Sequence, residues 1–260
     1  MKVTSWFLGK AAPAPRLRLV CFSHAGGSAT GYLPWQGQLG DGVDVVAVQL
    51  PGRGGRFGEP CYTAIAPLAA VLAEEIAADA AVPFAFFGHS LGALLAFETA
   101  RRLRDMRAPQ PLLLVASGCD APRYRTAPRK LHLLDDAGLT EALRAYDGTP
   151  PEVLANAELM ALLLPMIRAD FTLVDTYAAP SGPALDLPIA VFAGRQDEPD
   201  RTTHVERWRE ETTGSFSLHW FDGGHFFLHS AQEQVLRRLA AELAGVAARQ
   251  VERCVVQAGQ

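Results

Sequence analysis

The sequence predicts an α/β fold, a mainly parallel sheet with helices on both faces, and three observations carry that expectation. Short apolar runs rich in β-branched and aromatic residues alternate with stretches of helical periodicity, the pattern of strands joined by crossover helices. One such run, 83–87, passes directly into Gly88-His89-Ser90-Leu91-Gly92 and then into a helical stretch. The composition, 49% hydrophobic and 20% charged over 260 residues, suits one large core, so we expect a single domain over 1–260.

In chain order the predicted strands are 17–22, 43–48, 83–87, 112–116, 189–193 and 216–220. Between them, 62–80, 91–104, 203–211 and 231–253 repeat apolar residues three and four apart, with charges on the other side, as amphipathic helices do. One region interrupts the alternation. About seventy residues separate Ser117 from Ile189 without a convincing strand, and 134–146 and 151–177 within them are in helical register. That is too much helix for a simple crossover, and it predicts a helical lid over approximately 125–180, inserted after a mid-sheet strand above the carboxyl end of the sheet.

Gly-x-Ser-x-Gly between a buried strand and a helix is the pattern of a nucleophile elbow, and it specifies the expectation as an α/β-hydrolase fold. The glycines let the backbone pass through a tight turn while Ser90 Oγ is pushed into the open. The bland alternative is a Gly-rich turn whose serine only caps the helix. A nucleophilic serine needs a base, and the base needs a carboxylate that fixes its tautomer. Among seven histidines, His225 lies in Phe221-Asp222-Gly223-Gly224-His225-Phe226, after the last predicted strand and before the C-terminal helix, where a loop reaches back over the strand ends. His89 is inside the elbow and is expected to point away from the serine, and His132, His204, His219 and His229 read as packing or surface residues.

The chain order Ser, Asp, His selects Asp197, on the loop leaving strand 189–193, with Asp120 and Asp200 as competitors. Asp222 is too close in sequence to His225 and is expected to support the loop. An oxyanion needs preorganised donors. The N–H of Leu91 follows the nucleophile and opens a helix, and the N–H of Ala25 lies in the loop Ser23-His24-Ala25-Gly26-Gly27-Ser28 after an early strand. A phosphate loop would want a Lys after those glycines, and none is present.

The formal net charge of −4 gives no electrostatic case for nucleic acid, and no apolar run approaches the roughly 20 residues of a membrane span. The N-terminal residues lack the basic start and apolar centre of a secretory signal. The four cysteines, Cys21, Cys61, Cys119 and Cys254, show no metal-type spacing and read as reduced, mostly buried thiols, which fits a cytoplasmic enzyme. No metal or cofactor is expected.

With these loops in place the chain resembles the stand-alone type II thioesterases of modular polyketide and nonribosomal peptide synthases. The resemblance rests on Ser23-His24-Ala25-Gly26-Gly27-Ser28 with Tyr32 and Trp35, on Leu50-Pro51-Gly52-Arg53, on Gly88-His89-Ser90-Leu91-Gly92-Ala93, on Gly194 with Asp197, and on Gly223-Gly224-His225-Phe226. It spans nearly the whole chain. It departs from the family at Gly54, where an acidic residue is common, at Leu91 for a frequent Met, and at Cys119-Asp120. The resemblance implies Ser90 as nucleophile, His225 as base, Asp197 as acid, and Ala25 and Leu91 as oxyanion donors, the same residues the spacing selects.

It also implies, as substrate, an acyl group held as a thioester on the phosphopantetheine arm of an acyl or peptidyl carrier protein, with clearance of aberrant or stalled acyl groups as the task and a monomer as the working form. A carboxylesterase or aminopeptidase on the same fold is the alternative enzyme, and a non-catalytic hydrolase-fold binding module is the alternative of another class. Two readings stand for the locally basic stretch 122–130: a dock for an acidic carrier protein, or a solvated charge run at a lid hinge.

Overall fold

Phe84, Ala85, Phe86 and Phe87 show how the sheet is built, because alternate side chains of this one strand enter two different cores. The computed structural model of the chain describes residues 5–9, 14–125, 129–146 and 148–258, with backbone alone at 199–200 and 251–258. Strands β1 (Phe7–Leu8), β2 (Leu17–Phe22), β3 (Val43–Val48), β4 (Phe84–His89), β5 (Leu114–Ser117), β6 (Ile189–Gly194) and β7 (Phe216–Phe221) form one seven-stranded sheet in the order β1-β3-β2-β4-β5-β6-β7. Every pairing is parallel except β1 with β3.

Helices α1 (Ile65–Ala77) and α2 (Leu91–Asp105) cover one face, where Leu68, Leu72, Leu94 and Phe97 meet Val20, Val46 and Phe86. On the other face the 3₁₀ helix Ala29–Trp35 and the long C-terminal helix bring Tyr32, Trp35, Leu236 and Leu239 against Phe87 and Phe192. With both faces covered, the central strands read as unbroken apolar runs, which is why the sequence locates them within a residue or two.

Between β5 and β6 the chain forms α3 (Asp136–Tyr146), α4 (Pro151–Leu154) and α5 (Ala157–Thr176). These helices share their own cluster, in which Leu139, Leu143, Met160, Leu164, Ile167 and Phe171 are buried. The expected continuous pattern over 151–177 is broken at Asn156, whose side chain accepts the Leu159 N–H at 3.0 Å and starts a new helix. After β6 come α6 (Pro199–Thr202), then α7 (Phe227–Ser230) and α8 (Gln232–Ala258) beyond β7. The expected helix over 203–211 is instead a 3₁₀ segment, Val205–Glu211, pinned by Trp208, which is fully buried and donates Nε1–H to Cys119 O at 2.9 Å. Strand β1, with only two residues at the sheet edge, has no counterpart among the predicted elements.

Strand order reverses between β2 and β4, with β3 to one side and β5 to the other. Loops leaving adjacent strands on either side of such a reversal diverge and leave a crevice at their carboxyl ends, where open α/β sheets hold ligands. The loop 23–28 and the turn at Ser90 border it.

Candidate active site

Ser90 follows the last residue of β4 and precedes the first of α2, with φ 55° and ψ −114°. Its neighbours explain the two glycines. A Cβ on Gly92 would stand 2.0 Å from Phe22 O, and one on Gly88 would stand 2.1 Å from Gly92 O, so β2, the elbow and α2 approach as closely as they do because both positions lack side chains. Ser90 makes no capping hydrogen bond to α2. The reading of this serine as a mere helix cap is therefore set aside.

The serine opens into a cavity of about 150 Å³, which His24, Ala25, Leu91, His225 and Phe226 also line. Its far wall comes from the helices between β5 and β6: Leu143, Tyr146, Leu163, Met166, Ile167 and Phe171. Arg125, Arg129, Arg201, Asp120 and Asp175 add charge to an otherwise apolar lining. The backbone N–H groups of Ala25 and Leu91 have no protein acceptor among the described residues, so both are available to a ligand in the cavity.

His225 Nδ1 lies 2.8 Å from Asp197 Oδ2, and both side chains are buried. The other oxygen of Asp197 accepts the Glu198 N–H at 2.7 Å and Arg201 Nε–H at 2.9 Å. Two donors thus hold Oδ1, and Oδ2 is directed at the imidazole. Of the competitors, Asp120 accepts the His204 N–H at 2.7 Å, and the Asp200 side chain lies outside the described residues. Asp222 pairs with Arg195 at 3.4 Å, across the two loops that carry Asp197 and His225.

Two further imidazoles lie near His225. The His89 ring lies 5.0 Å from that of His225 and is held by Ser117 Oγ at 2.9 Å from Nδ1, behind the cavity wall. The His24 ring packs 4.9 Å from Phe226, which also contacts His225. Burial drives both toward the neutral form, with the His225 charge as the next contributor; His89 falls well below the usual histidine value and His24 to about 3. A depressed histidine takes up its proton in the unfolded chain first as pH falls, so its stabilisation is complete above about pH 6.5 and is lost below it. Between pH 6.5 and 5.5 we expect each of the two to lower the unfolding free energy by about 1 kcal/mol. Urea titrations across that interval should show the slope, and a flat stability would contradict it.

His132 pairs with Asp175 and His219 with Glu242, each at 2.8 Å, while His229 stacks on Phe226 and the His204 ring lies near Tyr124, so all four are packing residues. The described arginines of the basic stretch have partners in the chain: Arg123 pairs with Glu211, Arg125 with Val174 O and the Tyr177 ring, and Arg129 with Glu198. Arg123, Arg129 and Lys130 remain exposed, which suits a solvated charge run and a dock alike. Cys21, Cys61 and Cys119 are free thiols, and the Cys254 side chain lies outside the described residues. Among the described residues no group of His, Cys, Asp and Glu is arranged to hold a metal, and no helix is long and apolar enough to cross a membrane.

Sheet order, elbow and the Asp-His pair on successive strand ends together define a protein of the α/β-hydrolase class. A family model described as a thioesterase domain matches residues 17–243, and the chain belongs to the thioesterase family, whose reaction is thioester hydrolysis. Linear gramicidin dehydrogenase LgrE of Brevibacillus parabrevis is 40% identical over 242 residues, covering 92% of each chain. Among solved structures, RedJ, a thioesterase of the prodiginine pathway in Streptomyces coelicolor, superposes with a TM-score of 0.81 at 39% identity, over 90% of both chains. BorB, the type II thioesterase of the borrelidin cluster, gives 0.84 at 36% identity, over 95% of this chain and 99% of its own.

Proposed function

We propose that the chain is a type II thioesterase whose Ser90 attacks acyl thioesters on the phosphopantetheine arm of a carrier protein, clearing aberrant or stalled acyl groups from a polyketide or nonribosomal peptide assembly line. The observation that carries this reading is the 2.8 Å His225–Asp197 bond behind a cavity that Ser90 and His225 both line. Asp197 accepts from His225 Nδ1–H, which leaves Nε2 as the basic nitrogen. Nε2 takes the Ser90 proton as Oγ adds to the thioester carbon, and the N–H groups of Ala25 and Leu91 receive the oxyanion. Collapse breaks the C–S bond, and the thiol departs with the proton from His225. Water, deprotonated by the same nitrogen, then frees the acid and restores the serine.

A thiol with a pKa near 8.5 leaves with less protonation than an alkoxide or an amine, so the imidazolium need not be strongly acidic. The helices between β5 and β6 act as a lid that forms the acyl chamber. The enzyme works as a monomer in the cytoplasm, where thiols stay reduced. A hydride-transfer reading finds no support in the loop after β2, where Gly26-Gly27-x-x-x-Gly31 replaces the G-x-G-x-x-G of dinucleotide sites.

The test compares acyl-pantetheine thioesters with matched oxygen esters and labels the protein with a fluorophosphonate. We expect kcat/KM at least about tenfold higher for the thioester, a difference of 1.4 kcal/mol in barrier, and a single adduct on Ser90. Preference for the oxygen ester, or an unlabelled Ser90, would sink the reading.

A further inference from the structure

The loop that carries Ala25 is gripped from outside by one charge pair. Arg53, at the end of Leu50-Pro51-Gly52-Arg53, donates Nη1–H to Asp170 Oδ2 at 2.8 Å and Nη2–H to Oδ1 at 2.6 Å. Both side chains are buried, at 7% and 2% exposure. Each partner also holds the loop. Asp170 Oδ2 accepts the Gly26 N–H at 2.8 Å, and Arg53 Nη1 donates to Gly27 O at 2.9 Å. The peptides after Ala25 are therefore clamped once through a donor and once through an acceptor, and Ile167, one turn before Asp170, belongs to the apolar cluster against which Ala25 packs.

Fork-to-fork geometry fixes orientation as well as distance, which a lone charge does not. Desolvation offsets much of the attraction within such a pair, so its effect on overall stability is small. What it does specify is where three chain segments meet: the loop after β2, the loop after β3, and α5, whose Asp170 lies 144 residues from Gly26 in sequence. We infer that Arg53 and Asp170 are positioning residues that set the Ala25 N–H for the oxyanion, so that this donor is in place only while α5 is docked on the loop. The inference rests on the reading of Ser90 and Ala25 given above. Movement of α5 away from the sheet removes the acceptor of Gly26 N–H, and the hole loses its shape with the chamber.

The variant Arg53→Met/Asp170→Leu removes both charges together and avoids the uncompensated buried charge that either single change leaves. Arg53→Lys keeps the charge without the fork and decides the matter if the double variant does not fold. In folded protein we expect kcat to fall about 30- to 100-fold with KM within threefold, the size of effect that follows displacement of one oxyanion donor. Affinity for an acyl trifluoromethyl ketone, which forms the tetrahedral oxyanion, should fall by the same factor. A thioether analogue, which has no carbonyl, should bind as before.

Retention of kcat within threefold overturns the inference, and so does a parallel loss of ketone and thioether affinity, which marks collapse of the whole cavity. An unlabelled Ser90 in the wild-type enzyme would overturn the underlying reading, whereas labelled Ser90 with unaffected variants would overturn the clamp alone.

Discussion

Ser90→Ala is expected to lower kcat on an acyl-pantetheine by roughly 10⁴- to 10⁶-fold while leaving the unfolding temperature within a few degrees of wild type. The fall is that large because in the proposed mechanism the nucleophile and its base act as one unit, so removing the oxygen also idles His225. Stability is spared for local reasons. Ser90 Oγ makes no capping bond to α2, so its loss leaves no buried partner unsatisfied, and alanine keeps the Cβ and with it the backbone preferences of serine. Residual hydrolysis above the uncatalysed rate would come from the two backbone donors. Turnover within tenfold of wild type in folded Ser90→Ala would show that another group attacks.

Asp197→Asn is expected to cost about 10⁴-fold in kcat, and the surroundings of the carboxylate say why. Oδ1 faces two donors, the Glu198 N–H and Arg201 Nε–H, so an asparagine must place its carbonyl oxygen there. Its NH₂ then points at His225 Nδ1, which becomes an acceptor and sends the ring proton to Nε2. That nitrogen can no longer take the serine proton. Asp120→Asn serves as the control, because its carboxylate accepts from the His204 backbone, a bond an amide oxygen also makes, and kcat should stay within about tenfold. A larger loss for Asp120→Asn than for Asp197→Asn would reassign the acid.

The central strands were legible in the sequence because burial on both faces writes them as apolar runs. Strand β1 was not, since two residues paired at an edge leave no periodicity. Asn156 was a missed signal: an N-cap residue inside a helical pattern marks a restart as much as a start. At the site, Ser90, Asp197 and His225 could be placed because each sits just past a strand in a short local motif. Arg201 carried a weaker signal, four residues after Asp197 on what becomes one helical turn. Asp170 carried none: it is an acid among the apolar residues of α5, and its partners Gly26 and Arg53 are brought to it only by the folded chain.

The backbone at Ser90 has a bearing on how this enzyme could be improved. A non-glycine residue held at φ 55° and ψ −114° raises the energy of the native state by about 1–3 kcal/mol, out of a total stability of about 5–15. Any library screened for heat resistance alone will therefore tend to recover changes that relax the turn, glycine at position 90 first among them, and these are the changes that remove the proposed nucleophile. Hardening this protein has to proceed at sites remote from β4 and α2, with hydrolysis kept in the selection at every round.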